Sequence, residues 1–376
     1  MKFIHLSDLH IGKRVNEFSM IQDQQYILEE ILKVIDTIHP DGVIIAGDVY
    51  DKTTPSEEAV RLLNHFICQL ADQKVPTYII SGNHDSAERL SFGASLMEGS
   101  GIYISPVYNS ETVKYTLQDP YGEVDLYMLP FIKPAHVRRY YPEEKIDTYT
   151  DAVRVAIEHM EVDTTKRNVI ITHQFVTGAS RSDSEEVSVG GSDHVDVSVF
   201  DNFDYVALGH IHRPQKMQRE TVRYCGTPLK YSFSEADHHK SITIVELKEK
   251  GTVEITTQPL IPLHDMRILR GTYNEIVSRD NYERTNTEDY VQVILTDEED
   301  VPDAISRLRV IYPNIMSLKY DNKRTRSNTH VGQAEDIESK TPVELFHEFY
   351  QKQNNQEMSQ EQQAYITQLI EKIWEE

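Results

Sequence analysis

Five short apolar runs in this chain each stop just before a residue that can bind a metal. Phe3 to Leu6 leads to Asp8 and His10, and Val43 to Ala46 leads to Asp48. Tyr78 to Ile80 leads to Asn83 and His84, Val169 to Ile171 to His173, and Tyr205 to Leu208 to His210 and His212. Runs this continuous in Val, Ile and Leu suit strands covered on both faces. In open α/β sheets, ligands bind outside the carboxyl ends of the strands. If the five runs belong to one fold, Asp8, His10, Asp48, Asn83, His173, His210 and His212 meet in one cleft. That donor set exceeds what one tetrahedral ion needs and suits two ions. Gly47, Gly82 and Gly209 precede the donors, where a sharp turn and close approach to an ion are needed.

Up to about residue 260 these runs alternate with helical patterns, which predicts an α/β domain. Gln24 to Ile38 reads as a helix, a second starts at Pro55-Ser56-Glu57-Glu58, and a third spans Ser86 to Met97. The second and third are apolar enough to serve also as a dimer surface. Residues 179–202, with Gly190-Gly191, form a polar loop that can approach substrate. Pro259, Pro262 and His264 mark a boundary between a domain at 1–260 and a small α/β cap at 261–322. Residues 323–340 are polar and suit a flexible linker. The segment 341–376 opens on the capping box Thr341-Pro342-Val343-Glu344. Leu345, Phe346, Phe349 and Tyr350 share one helical face, and Tyr365, Ile366, Leu369, Ile370, Ile373 and Trp374 another. A pair of amphipathic helices beyond a linker suits docking on a partner helix, with folding back on its own chain as the alternative.

Charge narrows the function. Lys+Arg 38 against Asp+Glu 61 gives −23, which argues against a passive polyanion binder. Two divalent cations would reverse the sign locally. Cys68 and Cys225 exclude a disulfide scaffold and a cysteine-rich zinc site. No stretch reaches the roughly 20 apolar residues of a membrane span. The first residues reach Asp8 and His10 before any signal-like apolar core, so a cytoplasmic protein is expected.

The motifs Asp8-Leu9-His10, Gly47-Asp48-Val49-Tyr50-Asp51, Gly82-Asn83-His84-Asp85, His173 and Gly209-His210-Ile211-His212 together resemble the calcineurin-like metallophosphoesterases. The opening Met1 to Gly12, the segment Gly209 to Gln215 and the segment Tyr224 to Glu235 are similar to the bacterial SbcD family of nuclease subunits. The resemblance implies a two-sheet sandwich flanked by helices, with a cap and a helical tail. It gives one metal Asp8, His10, Asp48 and His212, and the other Asp48, Asn83, His173 and His210, with Asp48 bridging. It implies two Mn²⁺, whereas oxygen and imidazole donors without thiolate suit Mn, Fe or Zn alike. His84 becomes the catalytic histidine that does not bind metal, and Asp51 resembles the acid that orients it.

The same resemblance implies a DNA nuclease, exonucleolytic 3′→5′ on duplex ends and endonucleolytic on single strands and hairpins. It would act as a homodimer in a heterotetramer with the SbcC ATPase, in the DNA repair, recombination and replication of the cytoplasmic nucleoid. The C-terminal helices would dock on SbcC. Lys13, Arg14, Arg89, Lys133, Arg138, Arg139, Arg213, Lys216 and Lys230 are candidates for phosphate contacts, which position a duplex without reading it. A phosphomonoesterase or cyclic-nucleotide phosphodiesterase on the same core is the alternative enzyme. A non-catalytic scaffold is the alternative from another class, and it would be expected to have lost metal-binding residues.

Overall fold

The aliphatic runs pair as strands of two six-stranded sheets. One runs in the order Val253–Pro259, Ser241–Leu247, Lys2–Leu6, Gly42–Ala46, Thr77–Ile80, Ile102–Ile104. The other runs Gln215–Met217, Arg219–Tyr224, Tyr205–Gly209, Arg167–His173, Gly122–Leu129, Val113–Asp119. The computed structural model describes residues 1–185, 193–323, 325, 342–354 and 356–374. It divides into the units Met1–Met266 and Arg267–Glu376, and both sheets lie in the first. Lys2–Leu6, Gly42–Ala46, Thr77–Ile80 and Ile102–Ile104 are mutually parallel. So are the four central strands of the second sheet. In each parallel set the carboxyl ends come out on one edge, which is where the donor residues stand.

Side chains alternate across each strand, and in the central strands both phases are buried. Ile44 and Ala46 of one sheet share a cluster with Leu126, Met128, Val169, Ile171, Tyr205 and Ala207 of the other, so the sheets form a sandwich. The opposite phase, Leu129, Ile170, Val206 and Leu208, packs with Ala152, Val153 and Ala156 of the helix Tyr149–Glu158. Ile21–Ile38 buries Ile27, Ile31 and Ile35, and Glu57–Asp72 buries Leu62, Leu63, Phe66 and Leu70. The second of these helices starts where the Ser56 hydroxyl accepts from the Ala59 amide.

Two helices are shorter than their periodicity predicts. The span 86–97 breaks into Ala87–Leu90 and Ala94–Met97, because Gly93 between them takes a φ of 76°. Val301 to Tyr312, which reads from the sequence as the helix of the cap, keeps only Ala304–Leu308 as α-helix. In the second unit, Met266–Gly271, Tyr290–Leu295 and Ile315–Tyr320 form a three-stranded sheet over Ile276, Leu308 and Tyr312. The helices Pro342–Asn354 and Gln360–Trp374 come next in the chain. Gly190-Gly191 and the linker, apart from Lys323 and Thr325, lie outside the described residues, as do the side chains of Leu345, Ile373 and Trp374.

At the amino edge of the second sheet, Arg167 holds the Asp119 carboxylate with both guanidinium nitrogens, at 3.0 and 2.5 Å. The pairing holds Asp119 well below its usual value of 3.8. A depressed carboxylate stabilises the fold above its unfolded pKa, and that stability is lost as the pH falls. Asp119→Asn is expected to cost about 1–3 kcal/mol at pH 7. In thermal melts, the gap to the wild type is expected to close progressively below pH 3.8.

Candidate metal centre

The loops at the strand ends are interlaced by main-chain bonds. The Asp8 amide donates to the Gly47 carbonyl at 3.0 Å, and the His10 amide to the Asp48 carbonyl at 2.9 Å. Asp8, His10, Asp48 and His210 all sit at positive φ, at 53°, 44°, 47° and 104°. For non-glycine residues this conformation costs energy and tends to mark functional sites. The two sheets also meet tightly here. A Cβ on Gly209 would overlap the Ala46 carbonyl, and one on Gly82 would overlap Asp48, so neither position admits a side chain.

The structure brings all seven predicted donors together. Ligand atoms of Asp8, His10 and His212 lie within 4.8 Å of one another, as do those of Asp8, Asp48 and His173. His10 Nε2 and His212 Nε2 face each other at 3.1 Å. Asn83 Oδ1 is 3.0 Å from His173 Nε2 and 2.9 Å from His210 Nδ1. Asp48 Oδ2 lies between the two groups, 3.7 Å from His10 Nε2 and 3.4 Å from His173 Nε2. The Asp8 carboxylate accepts from the His210 amide at 3.0 Å and from the Ser7 hydroxyl. All but Asn83 are buried.

Electrostatics here favour a cation. Burial opposes charge on His173, yet Asp48 overrides it and raises the imidazole to about 9. Burial would likewise raise Asp48, but His173 holds it well below the usual range. Burial pushes His10 far down and His210 to about 3, leaving both neutral with lone pairs to offer. His10 Nδ1 and His210 Nε2 are buried without a hydrogen-bond partner among the described residues. Paired carboxylates, neutral imidazoles and an amide oxygen fit divalent cations.

His84 stands beside this cluster, half-buried, its ring 4.8 Å from that of His10. Its Nδ1 donates to the main-chain carbonyl of Asp51 at 3.0 Å. The Asp51 carboxylate, expected to orient this ring, instead pairs with Lys13 at 2.8 Å and approaches His10 Nδ1 at 3.7 Å. Orientation of His84 is therefore a main-chain function of the turn at residue 51.

Several supporting residues went unread in the sequence. The Asp85 carboxylate ties two of the loops, accepting from Val49, Tyr50 and Gly82 amides at 3.1, 2.9 and 2.9 Å. Burial and the nearby Asp48 raise it to about 6. Gln24 donates to the His10 carbonyl at 2.7 Å, and Tyr231 to that of Leu9 at 2.6 Å. Behind His212 lie Ser184, Glu185, Glu235 and Lys240. Glu185 belongs to the polar loop, and its run of Ser and acidic residues was the available signal.

A cleft of about 730 Å³ adjoins Asn83 and is lined by Arg89, Phe131, Lys133, His136, Arg139 and Tyr140. Of the other basic candidates, Lys216 pairs with Glu220 and Lys230 with Asp265.

The fold and the cluster define a metal-dependent phosphoesterase. The family model of the calcineurin-like phosphoesterases matches residues 1–214, and that of the type 5 capsule protein repressor C-terminal domain matches 262–354. The D subunit of nuclease SbcCD from Staphylococcus epidermidis is 33% identical over 379 residues, 98% of this chain and 98% of its own. The chain belongs to the SbcD family of nuclease subunits, within the calcineurin-like phosphoesterases, and is a metal-dependent phosphodiester hydrolase. A dimetal phosphatase from Danio rerio matches with 12% identity and a TM-score of 0.44, over 69% of this chain and 96% of that one. A crystal structure of a Thermus thermophilus protein matches with 12% identity and a TM-score of 0.39, over 68% and 98%. The family implies a dinuclear metal site, and the donor set described above fits it. Among the described residues no helix is long and apolar enough to cross a membrane.

Proposed function

We propose that this chain is a Mn²⁺-dependent DNA nuclease subunit, acting 3′→5′ on duplex ends and endonucleolytically on single strands and hairpins. The observation that carries the reading is the convergence of seven donors from five strand ends, with Asp48 Oδ2 lying between the His10 and His173 imidazoles. Asp8, His10, Asp48 and His212 would hold one ion, and Asp48, Asn83, His173 and His210 the other. When bound, such ions neutralise phosphoryl oxygens and acidify water. The chain's own residues do the rest. The Asp51 carbonyl keeps the His84 proton on Nδ1, so Nε2 faces the cluster, 4.0 Å from Asp48 Oδ2. From there, once protonated, it can hold the scissile phosphate or give a proton to the leaving sugar oxygen. Lys133 and Arg139 in the adjoining cleft supply positive charge for a strand despite the net charge of −23.

The wider assembly belongs to the same proposal: a cytoplasmic, nucleoid-associated homodimer joined by two copies of an SbcC-type ATPase. Residues 1–260 form the nuclease domain, 261–322 a small DNA-binding domain of the cap type, 323–340 a linker, and 341–376 the segment that docks on the ATPase. Docking is supported by Phe349, Tyr365 and Leu369, which the tail helices leave 57%, 65% and 41% exposed. A dimer is supported by Phe92 and Leu96, 85% and 87% exposed.

With Mn²⁺, the chain is expected to degrade end-labelled linear duplex DNA, and more so with the ATPase present. Turnover of p-nitrophenyl phosphate with no release of nucleotides would reject the nuclease reading in favour of a phosphomonoesterase.

A further inference from the structure

The imidazoles of the centre are fixed in different ways. His173 Nδ1 donates to the Ala46 carbonyl at 2.9 Å, and His84 Nδ1 to the Asp51 carbonyl at 3.0 Å. Both acceptors are main chain. His212 is backed by a side-chain relay instead: its Nδ1 lies 2.7 Å from Ser184 Oγ, which lies 2.5 Å from Glu235 Oε1. A carboxylate only accepts, so the hydroxyl donates to Glu235 and takes the His212 N–H on its lone pair. The Nε2 lone pair is then left facing His10 Nε2.

The relay is closed from behind. Lys240 Nζ reaches Glu235 Oε2 at 2.5 Å and the His212 carbonyl at 2.8 Å. Glu185 accepts from the His212 amide at 2.7 Å and from the Ser182 amide at 2.6 Å. Glu235 and Lys240 are buried, at 0% and 6% exposure. Ser184 and Glu185 both link this network to the polar loop, Ser184 through the His212 ring and Glu185 through the His212 amide.

We propose that Ser184 is a positioning residue that makes cation binding by Asp8, His10 and His212 depend on the loop segment 182–185. Asp48, Asn83, His173 and His210 are held instead from the strand-end turns themselves, through the Ala46 carbonyl and the Asp85 carboxylate, with no hydrogen bond from that segment among the described residues. Without the hydroxyl, the nearest acceptor left to His212 Nδ1 is Glu235 Oε1 at 3.5 Å, too long for a well-made hydrogen bond, so the proton is freer to move to Nε2, where the cation would bind. The two sites are thereby unequal in what supports them. This rests on the dinuclear reading above.

Calorimetric titration of the full chain with Mn²⁺ tests it. Ser184→Ala is expected to weaken one of two Mn²⁺ sites by roughly 10–100-fold and leave the other within about twofold. Ser184→Thr, which keeps the hydroxyl, is expected to restore it. ¹⁵N NMR of the metal-free wild type supplies a readout without mutation and is expected to find the His212 proton on Nδ1. Unchanged affinities in Ser184→Ala, equal loss at both sites, or a proton on Nε2 would overturn the role of Ser184. A wild type that takes up fewer than two Mn²⁺ would instead overturn the dinuclear reading, and this inference with it.

Discussion

His84→Ala is expected to cleave linear duplex DNA about 10²–10⁴-fold more slowly, with Mn²⁺ uptake and DNA binding close to wild type. The expectation rests on how the ring is held. Its Nδ1 is committed to the Asp51 carbonyl, so Nε2 is the atom left to meet the proposed substrate. At 4.0 Å from Asp48 Oδ2 it is farther from that carboxylate than His10 or His173, at 3.7 and 3.4 Å. The residue is also less buried than those two, as a group that exchanges protons with a substrate must be. There is a competing geometry, because His10, Asp48 and His84 also offer atoms within 4.8 Å of one another. The measurement separates the two roles. A proton donor leaves the Mn²⁺ stoichiometry at two when removed, whereas a ligand lowers it. Cleavage at the wild-type rate would take His84 out of the chemistry.

The strands and the meeting of the donors were legible in the sequence for one physical reason. A strand buried on both faces must be aliphatic throughout, so its end is marked by the first polar residue. Gly42–Ala46 ends that way before Asp48, and Tyr205–Gly209 before His210. Val113–Asp119 has no such mark. It lies at a sheet edge with each residue exposed or half-buried in alternation, and its neighbour Gly122–Leu129 carries Asp125 and Tyr127. The break at Gly93 was hidden because an isolated glycine within a helical pattern is tolerated at a cost of about 1 kcal/mol and need not interrupt it.

Within the site, what the sequence withheld was the support for the donors. Asp85 sits directly after His84, yet its task is to hold amides on a loop thirty-odd residues earlier. Ser184 and the stretch from Glu235 to Lys240 lie apart in the chain and meet around His212 only in the fold. No periodicity encodes such contacts. The acceptor for His84 is subtler still. The side chain of Asp51 drew attention to the position, while the atom that acts is a carbonyl that any residue there would supply.

A loss of metal and cleavage together is expected at Asp48, and Asp48→Asn is the sharpest way to produce it. Asparagine tolerates the positive φ of 47° and keeps an oxygen for the His84 amide, 2.9 Å from Oδ1 in the wild type. The backbone therefore has little reason to move, and the change is one of charge. The distances give this two consequences. Oδ2 loses its negative charge between His10 and His173, so both proposed ions lose the anion they share. In the metal-free chain His173, raised to about 9 chiefly because Asp48 outweighs burial, is expected to titrate lower, which NMR can follow. Supporting residues around metal ligands are commonly worth 10–100-fold, so a shared ligand is expected to cost more than about 100-fold in cleavage. Mn²⁺ stoichiometry is expected to drop below two at concentrations that saturate the wild type. A variant that binds two Mn²⁺ with wild-type affinity and still cuts DNA would mean that the carboxylate does not bridge, and the dinuclear reading would lose its central contact.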